Sequence, residues 1–415
     1  MFNISLKKNY LLFLVSIIPF SIILGPLISL INILIISILF ILYHKDIFFL
    51  TLFKNKIVLF LLLINCYLLF NTLISIDPSI SWIRNFGFFR FILLFIAINY
   101  LFFNTKNINF LYKSWFLICL ILLFDSYFEF FLGKNILGYS DSSGARIVSF
   151  FKDEPIVASY VNGFIFIILG YLFSDFKNKS INRKFLIVFV LLIFLIFMIL
   201  SGERSNTIKF IFGILLFLNF SRFINYKLKL FFVFLTILLV STLYFSSDIV
   251  KLRYGGQLIN LVDNEKKREA FIKESKYMQL YKSGFQVFKN YPLFGVGNKN
   301  YRVEACGKGS SKKYTCNTHP HQIYIEFLSE HGIIGSAFLL SVIFYLIFRN
   351  FKQMIISQNL IQIGSFCYLI INFLPIIPSG SFFSDFNATF FWLNFSIFYA
   401  SNFKMNIFKK GELAQ

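Results

Sequence analysis

Twelve stretches of this chain stay apolar for about the length of a helix: residues 10–24, 26–43, 57–75, 86–103, 110–132, 155–173, 185–200, 207–220, 230–246, 322–348, 359–377 and 386–402. A bilayer core takes about 20 apolar residues per helix, with a range near 17–25. The pattern therefore predicts an all-helical integral membrane protein with about twelve spans. Gly25-Pro26 is the only turn available between the first two. Polar positions gather mainly in one place, residues 247–321, which separates a block of nine spans (1–246) from a block of three (322–415). Within this loop, residues 263–283 are rich in Lys, Arg and Glu and read as a polar helix. Residues 284–292 read as an amphipathic segment that stops at Pro292. Gly295 and Gly297 behind it suit a tight turn or a close backbone approach. With no strand before them they are not a dinucleotide fingerprint.

Composition agrees and adds an orientation. Of 415 residues 57% are hydrophobic and 14% charged, with mean hydropathy +0.73, which excludes an ordinary soluble domain. The first run continues into a second and lacks a small-residue cleavage site, so it is read as a membrane helix and not a signal peptide. The net charge of +21 does not point to nucleic acid, because Lys and Arg at helix ends set topology. With the N-terminus inside, inside segments hold 19 of the 40 Lys and Arg, short outside segments hold seven, and the long loop holds 14. Long loops are exempt from the rule. Both termini are thus expected inside and the long loop outside, on the periplasmic face of a bacterial inner membrane.

Candidate chemistry collects on that outer side. His319-Pro320-His321-Gln322 closes the polar loop and opens an apolar helix. Pro320 suits a first helical turn, and Thr318 or Asn317 is the expected cap. Gly332 and Gly335 follow His321 by 11 and 14 positions, which on a continuous helix puts all three near one face. Such a small-residue face admits a close helix neighbour. Arg204 stands in the short turn Ser201-Gly202-Glu203-Arg204, Arg146 precedes a span together with Asp153 and Glu154, and the loop adds Lys276 and Arg302. Each has a plainer reading, as a head-group anchor or a solvated charge. Asp125 and Glu129, one turn apart in an apolar run, read as a buried polar patch or as part of a pathway. Cys306 and Cys316 sit close together in the loop, where an oxidising compartment would favour a disulfide. Cys66, Cys119 and Cys367 lie in apolar runs as packing residues.

Guanidinium groups match phosphate oxygens, and an imidazole near its free pKa accepts a proton from a hydroxyl. Together they suit attack by a sugar hydroxyl on a carbon whose leaving group is a lipid diphosphate, with cations stabilising the departing charge. No carboxylate cluster calls for a divalent metal, so a metal-independent reaction without cofactor is expected.

Specific motifs give these residues a context. His321-Gln322, nine residues, then Gly332-x-x-Gly335 resembles the His-[Asn/Ser/Gln]-x9-Gly-x-x-Gly pattern of the O-antigen ligase family and its polymerase relatives. Pro292-Leu-Phe-Gly-Val-Gly297, Thr318-His-Pro-His321 and Ser201-Gly-Glu-Arg204 resemble that family's other segments. Tyr301-Arg302 with Cys306 and Cys316, and the stretch from Arg146 to Tyr160, resemble one of its subgroups. The resemblance is specific over about 200–335 and topological elsewhere. It implies a GT-C-type membrane glycosyltransferase that inverts the anomeric carbon. The implied donor is an undecaprenyl-diphosphate-linked glycan, and the acceptor is a sugar hydroxyl of lipid A-core or, for a polymerase, of a lipid-linked glycan. By resemblance His321 is the base and Arg204 a diphosphate-binding residue, with Arg146, Lys276, Arg302 and His319 binding substrate. Lys276-x-x-x-Leu280 stands where the family often has Arg-x-x-x-Leu, and a point charge there replaces a fork. Gly332, Gly335 and the two loop cysteines are structural. A transporter or flippase is the alternative from another class. It would favour an internal repeat and charges along a central path, and neither is seen in the sequence.

Overall fold

The computed structural model describes residues 4–142, 144–174, 180–222, 224–247, 250–255, 265, 275–307 and 313–409. The first run is two helices, α1 (Ile4–Ser16) and α2 (Ile18–Leu24), and not one span. Pro19 sits in the first turn of α2, where its ring cannot continue a helix from the preceding turn. Then follow α3 (Pro26–Tyr43), α4 (Lys45–Lys54), α5 (Lys56–Leu73), α6 (Pro78–Gly87), α7 (Phe89–Asn104), α8 (Asn109–Leu132), α9 (Val157–Phe173), α10 (Ile181–Leu200), α11 (Arg204–Phe220) and α12 (Tyr226–Ser246). Within the polar loop lie α13 (Lys276–Asn290) and α14 (Tyr301–Cys306), and beyond it come α15 (Ile323–Phe348), α16 (Phe351–Ser357), α17 (Leu360–Ile371) and α18 (Asp385–Ala400). No strand occurs among the described residues.

Each apolar run is thus occupied by helix, and the short helices α4, α6, α14 and α16 are additions to the predicted set. Among the described residues, seven helical segments are long and apolar enough to cross a membrane, while α9 and α17 are shorter. The two segments expected within 263–292 are one helix, α13, as far as the described residues reach. The parts of the expected polar helix at 263–264 and 266–274 lie outside them.

The core forms around α9, which packs on α17, α11, α8 and α18. Apart from Ser159 and two residues near its end, every residue of α9 is buried. A helix apolar on all sides requires neighbours on all sides. α12 is the opposite case. Leu230, Phe234, Ile237 and Phe245 are exposed, as suits a helix facing lipid. Between helices, side-chain amides act as glue. Asn394 Nδ2 donates to the Gly163 carbonyl at 2.8 Å, and Asn162 Nδ2 to the Asn206 carbonyl at 2.9 Å. In hydrocarbon such bonds contribute about 0.6 kcal/mol each.

The described part of the polar loop has its own small core, Val287, Val296, Tyr301, Ala305 and Tyr314. The Tyr301 hydroxyl donates to Ser283 Oγ at 2.8 Å, and Cys306 and Cys316 form a disulfide. This unit is fastened to the bundle where α15 breaks. Gly332 has φ 64° and ψ −170° inside that helix. At the break the carbonyls of Ser329 and Glu330 accept from the amides of Val296 and Gly297, at 3.0 and 2.9 Å. The amides of Ile333 and Ile334 donate to the Pro292 and Leu293 carbonyls, at 2.8 and 3.1 Å. The Pro292–Gly297 segment therefore replaces the helical bonds that the kink removes. A Cβ on Gly332 would lie 2.3 Å from the Leu293 carbonyl carbon and oxygen.

This corrects the reading of α15 as a continuous helix with one small-residue face. The kink ends the regular spacing between His321 and Gly335, so the three residues do not share a face. Gly335 makes room for Tyr67 of α5, whose hydroxyl would come 1.7 Å from a Cβ there. The expected cap is also different. Gln322, and not Thr318 or Asn317, caps α15, its side-chain oxygen accepting from the Ile325 amide at 2.8 Å. Pro320 lies before the helix.

Candidate active site

Two short segments bring Arg146 beside Arg204. Asp125 and Glu129 of α8 point their carboxylates at the backbone of the segment that follows. Glu129 accepts from the Val148 amide at 3.0 Å and the Ser149 amide at 2.6 Å, and Asp125 accepts from Ser149 Oγ at 2.6 Å and the Ile136 amide at 2.9 Å. These carboxylates are the buried polar patch of the two readings offered above, and they anchor the strand of chain that carries Arg146. The Ile147 amide then donates to the Ser201 carbonyl at 3.2 Å. Gly202 has φ 71°, and a Cβ there would lie 2.5 Å from the Ala145 carbonyl oxygen. Glycine at this position lets the two segments lie in contact.

Glu203 closes the same turn from within. Its carboxylate accepts from the Ala158 amide at the start of α9, at 2.6 Å, and from Asn206 Nδ2 at 2.7 Å. Burial pushes this carboxyl up to about 7, against the pull of those bonds and of Arg146. The one carboxylate in the turn is thus held by α9 and its charge is weakened.

His321 arrives from the other side of the bundle. Its backbone is left-handed, φ 58°, a conformation uncommon for histidine. Its carbonyl accepts from the Ser379 amide at 2.9 Å, and the Tyr277 ring meets the imidazole edge-on at 5.9 Å. Glu326, in the first turn of α15, accepts from Ser381 Oγ at 2.5 Å and from the Phe382 amide at 3.2 Å. The segment before α18 is thereby tied to the same helix end as His321.

His321, Arg146, Arg204 and Lys209 line one cavity of about 260 Å³. His319 and Arg302 do not share it. They line a second cavity of about 680 Å³ with Arg84, Arg90 and Lys299, opposite an apolar wall from α2 and α3 that includes Leu24, Leu30 and Ile33. The expected convergence of all outer-side groups is therefore a division into two chambers. Ile156, Gly380, Phe386 and Asn387 line both, and the two imidazoles lie 3.9 Å apart, one in each chamber. Lys276 is exposed at the start of α13 and lines neither chamber.

Arg84, Arg90, Lys299 and Lys209 were not singled out by sequence. Each is a single charge in a separate segment, with no local motif to mark it. Lys299 is placed by an asparagine network. Asn298 and Asn300 bond to Asn71, Ser81 and Asp77, including Asn298 N to Asn71 Oδ1 at 2.7 Å and Asp77 N to Asn300 Oδ1 at 2.8 Å. Arg90 pairs with Asp385 across the second chamber's rim. Among the described residues, no three His, Cys, Asp or Glu side chains stand together as metal ligands.

Burial lowers the pKa of both histidines. His319 falls to about 3, with further contributions from His321 and Arg84. His321 falls through burial and then the Lys276 charge. A His321 that works as a base must be neutral, so activity should be lost as pH drops through a folded pKa below the free value of about 6.5. Lys276→Ala removes a charge that disfavours the imidazolium. Its acid limb should move to higher pH in a pH–rate profile of the reconstituted protein. An unmoved limb would detach Lys276 from His321.

The fold and these chambers define a multi-pass, all-helical membrane protein with a cationic, histidine-bearing site at one end of its bundle. Residues 187–340 match the family model described as O-antigen ligase. The match covers about a third of the chain and agrees with the motif resemblance to the O-antigen ligase family. The match includes Arg204, Lys276, Arg302, His319, His321, Gly332 and Gly335, and stops short of Arg146. No curated protein matches the chain.

Proposed function

We propose that this protein is an inverting membrane glycosyltransferase of the O-antigen ligase type, moving a glycan from undecaprenyl diphosphate to a sugar hydroxyl. The observation that carries the reading is that Arg146, Arg204 and His321, remote in sequence, line one cavity. In the proposed step His321 takes the proton of the acceptor hydroxyl. The hydroxyl oxygen bonds to the anomeric carbon, and the bond from that carbon to the donor diphosphate breaks, its electron pair leaving on the diphosphate oxygen. Arg146 and Arg204 bind that oxygen and its neighbours as charge develops. The larger chamber, with Arg302, His319 and an apolar wall, would hold the lipid-anchored acceptor. The reaction needs no metal or cofactor, because the cations of the chamber supply the charge stabilisation. The chain would lie in the bacterial inner membrane as a GT-C-type bundle of about twelve spans, termini in the cytoplasm and site in the periplasm.

The acceptor defines two variants. Lipid A-core makes the protein a ligase, and a lipid-linked repeat unit makes it a polymerase. A deletion strain complemented with wild type or His321→Ala separates them by glycan profile. Long chains left on the polyprenyl carrier over bare core mean ligase, and core capped with a single repeat means polymerase. A normal profile would overturn the reading. Within it, Arg204→Ala should reduce transfer about a hundredfold through loss of a charge-assisted bidentate contact, and Arg204→Lys should reduce it less. Equal, negligible effects in a donor titration would make Arg204 a membrane anchor.

A further inference from the structure

Lys209 is the feature of the smaller chamber that the motifs leave unassigned. It lies in α11, five residues beyond Arg204, which at a rise of about 1.5 Å per residue is about 7.5 Å further along the helix. The residue is 7% exposed. It lines the chamber. It makes no hydrogen bond or ion pair among the described residues. The nearest acidic group in the chamber wall, Glu203, is held by Ala158 and Asn206. An ammonium at membrane depth without a counter-ion is strongly unfavourable, and such groups mark binding sites or pathways. The chamber wall combines polar residues from the first turn of α11, Ser205 and Asn206, with apolar ones such as Ile323, Ile371 and Phe391. Asn162 contributes a buried Oδ1 that has no partner. Arg146 and Arg204 form an outer tier of positive charge, and Lys209 forms an inner one.

We propose that Lys209 is the counter-ion of a phosphate group drawn below the two arginines, the lipid-proximal phosphate of a polyprenyl diphosphate. The inference rests on the proposed donor class and deepens it. The chamber receives two phosphates in file along the axis of α11, the inner one held by Lys209 and the outer one by Arg146 and Arg204. This arrangement lets the lipid side of the leaving group sit within the bundle while the scissile bond stays level with His321.

The test uses full-length protein in zwitterionic nanodiscs, titrated with undecaprenyl diphosphate and, separately, with uncharged undecaprenol. Wild type and His321→Ala should bind the diphosphate alike, and failure of both to bind it would overturn the donor reading itself. Lys209→Met should bind the diphosphate about tenfold or more weakly, as loss of a charge-assisted contact requires, and should bind undecaprenol unchanged. Lys209→Arg should recover most of the affinity. Without ligand, Lys209→Met should melt no lower than wild type, because it removes an unpaired buried charge. Unchanged diphosphate affinity, an equal loss for both lipids, or a lower melting temperature in Lys209→Met would each overturn the assignment.

Discussion

Replacing His321 by alanine should abolish glycan transfer and leave the protein folded in the membrane. The expected loss is on the order of a hundredfold to ten-thousandfold, the contribution of a positioned general base. The structure separates this effect from a folding effect. α15 keeps its cap, because Gln322 makes that bond. The bond from the Ser379 amide goes to the His321 carbonyl and survives any side-chain change. The left-handed backbone, φ 58°, tolerates histidine somewhat better than alanine, and the resulting loss of stability should be about 1 kcal/mol or less. The check is a transfer assay in proteoliposomes beside a thermal melt of the same preparation. A variant that melts as wild type and still transfers would remove His321 from the base role.

Gly332→Ala should act through folding. Its φ 64° and ψ −170° fall in a region open essentially to glycine alone, with a penalty of about 1–3 kcal/mol for other residues. The added methyl would also meet the Leu293 backbone at 2.3 Å, and backbone cannot rotate away. Relief requires the Pro292–Gly297 segment to leave the kink, giving up the four bonds that fasten the polar loop to α15. The total should reach about 3 kcal/mol or more, the range of severe single substitutions. The amount of folded protein extracted from membranes should fall sharply, and transfer with it. Wild-type yield and melting temperature for Gly332→Ala would refute the clasp. The two variants thus separate chemistry from scaffold within one motif.

The helices were readable in the chain because a bilayer imposes a minimum apolar length. The runs from 26–43 to 386–402 each mark a helix for that reason. What the pattern could not show is how neighbouring segments compete for hydrogen bonds. Gly332 looks like a helical residue beside apolar neighbours, and only the amides and carbonyls of Pro292–Gly297 explain the break. Gln322 is an uncommon cap, and the preference for Thr or Asn pointed to the residues before it. The site was legible where its residues carry a motif, at His321 and Arg204. It was hidden where one charge comes from each of several helices. Arg84 and Lys209 look like ordinary charges near helix ends, and their placement in the two chambers depends on tertiary packing. His319 and His321 line different chambers, and the backbone at His321 is left-handed; sequence spacing reveals neither.

The broken helix has a further mechanical consequence. The Pro292–Gly297 segment bonds to both sides of the break, to Ser329 and Glu330 before Gly332 and to Ile333 and Ile334 after it. It therefore splints the joint, as a second chain laid across a fracture would. Membrane helices respond to changes in bilayer thickness by tilting. A tilt of the lower part of α15 loads this splint as well as the helix, so the described part of the polar loop is mechanically coupled to the bundle at that point.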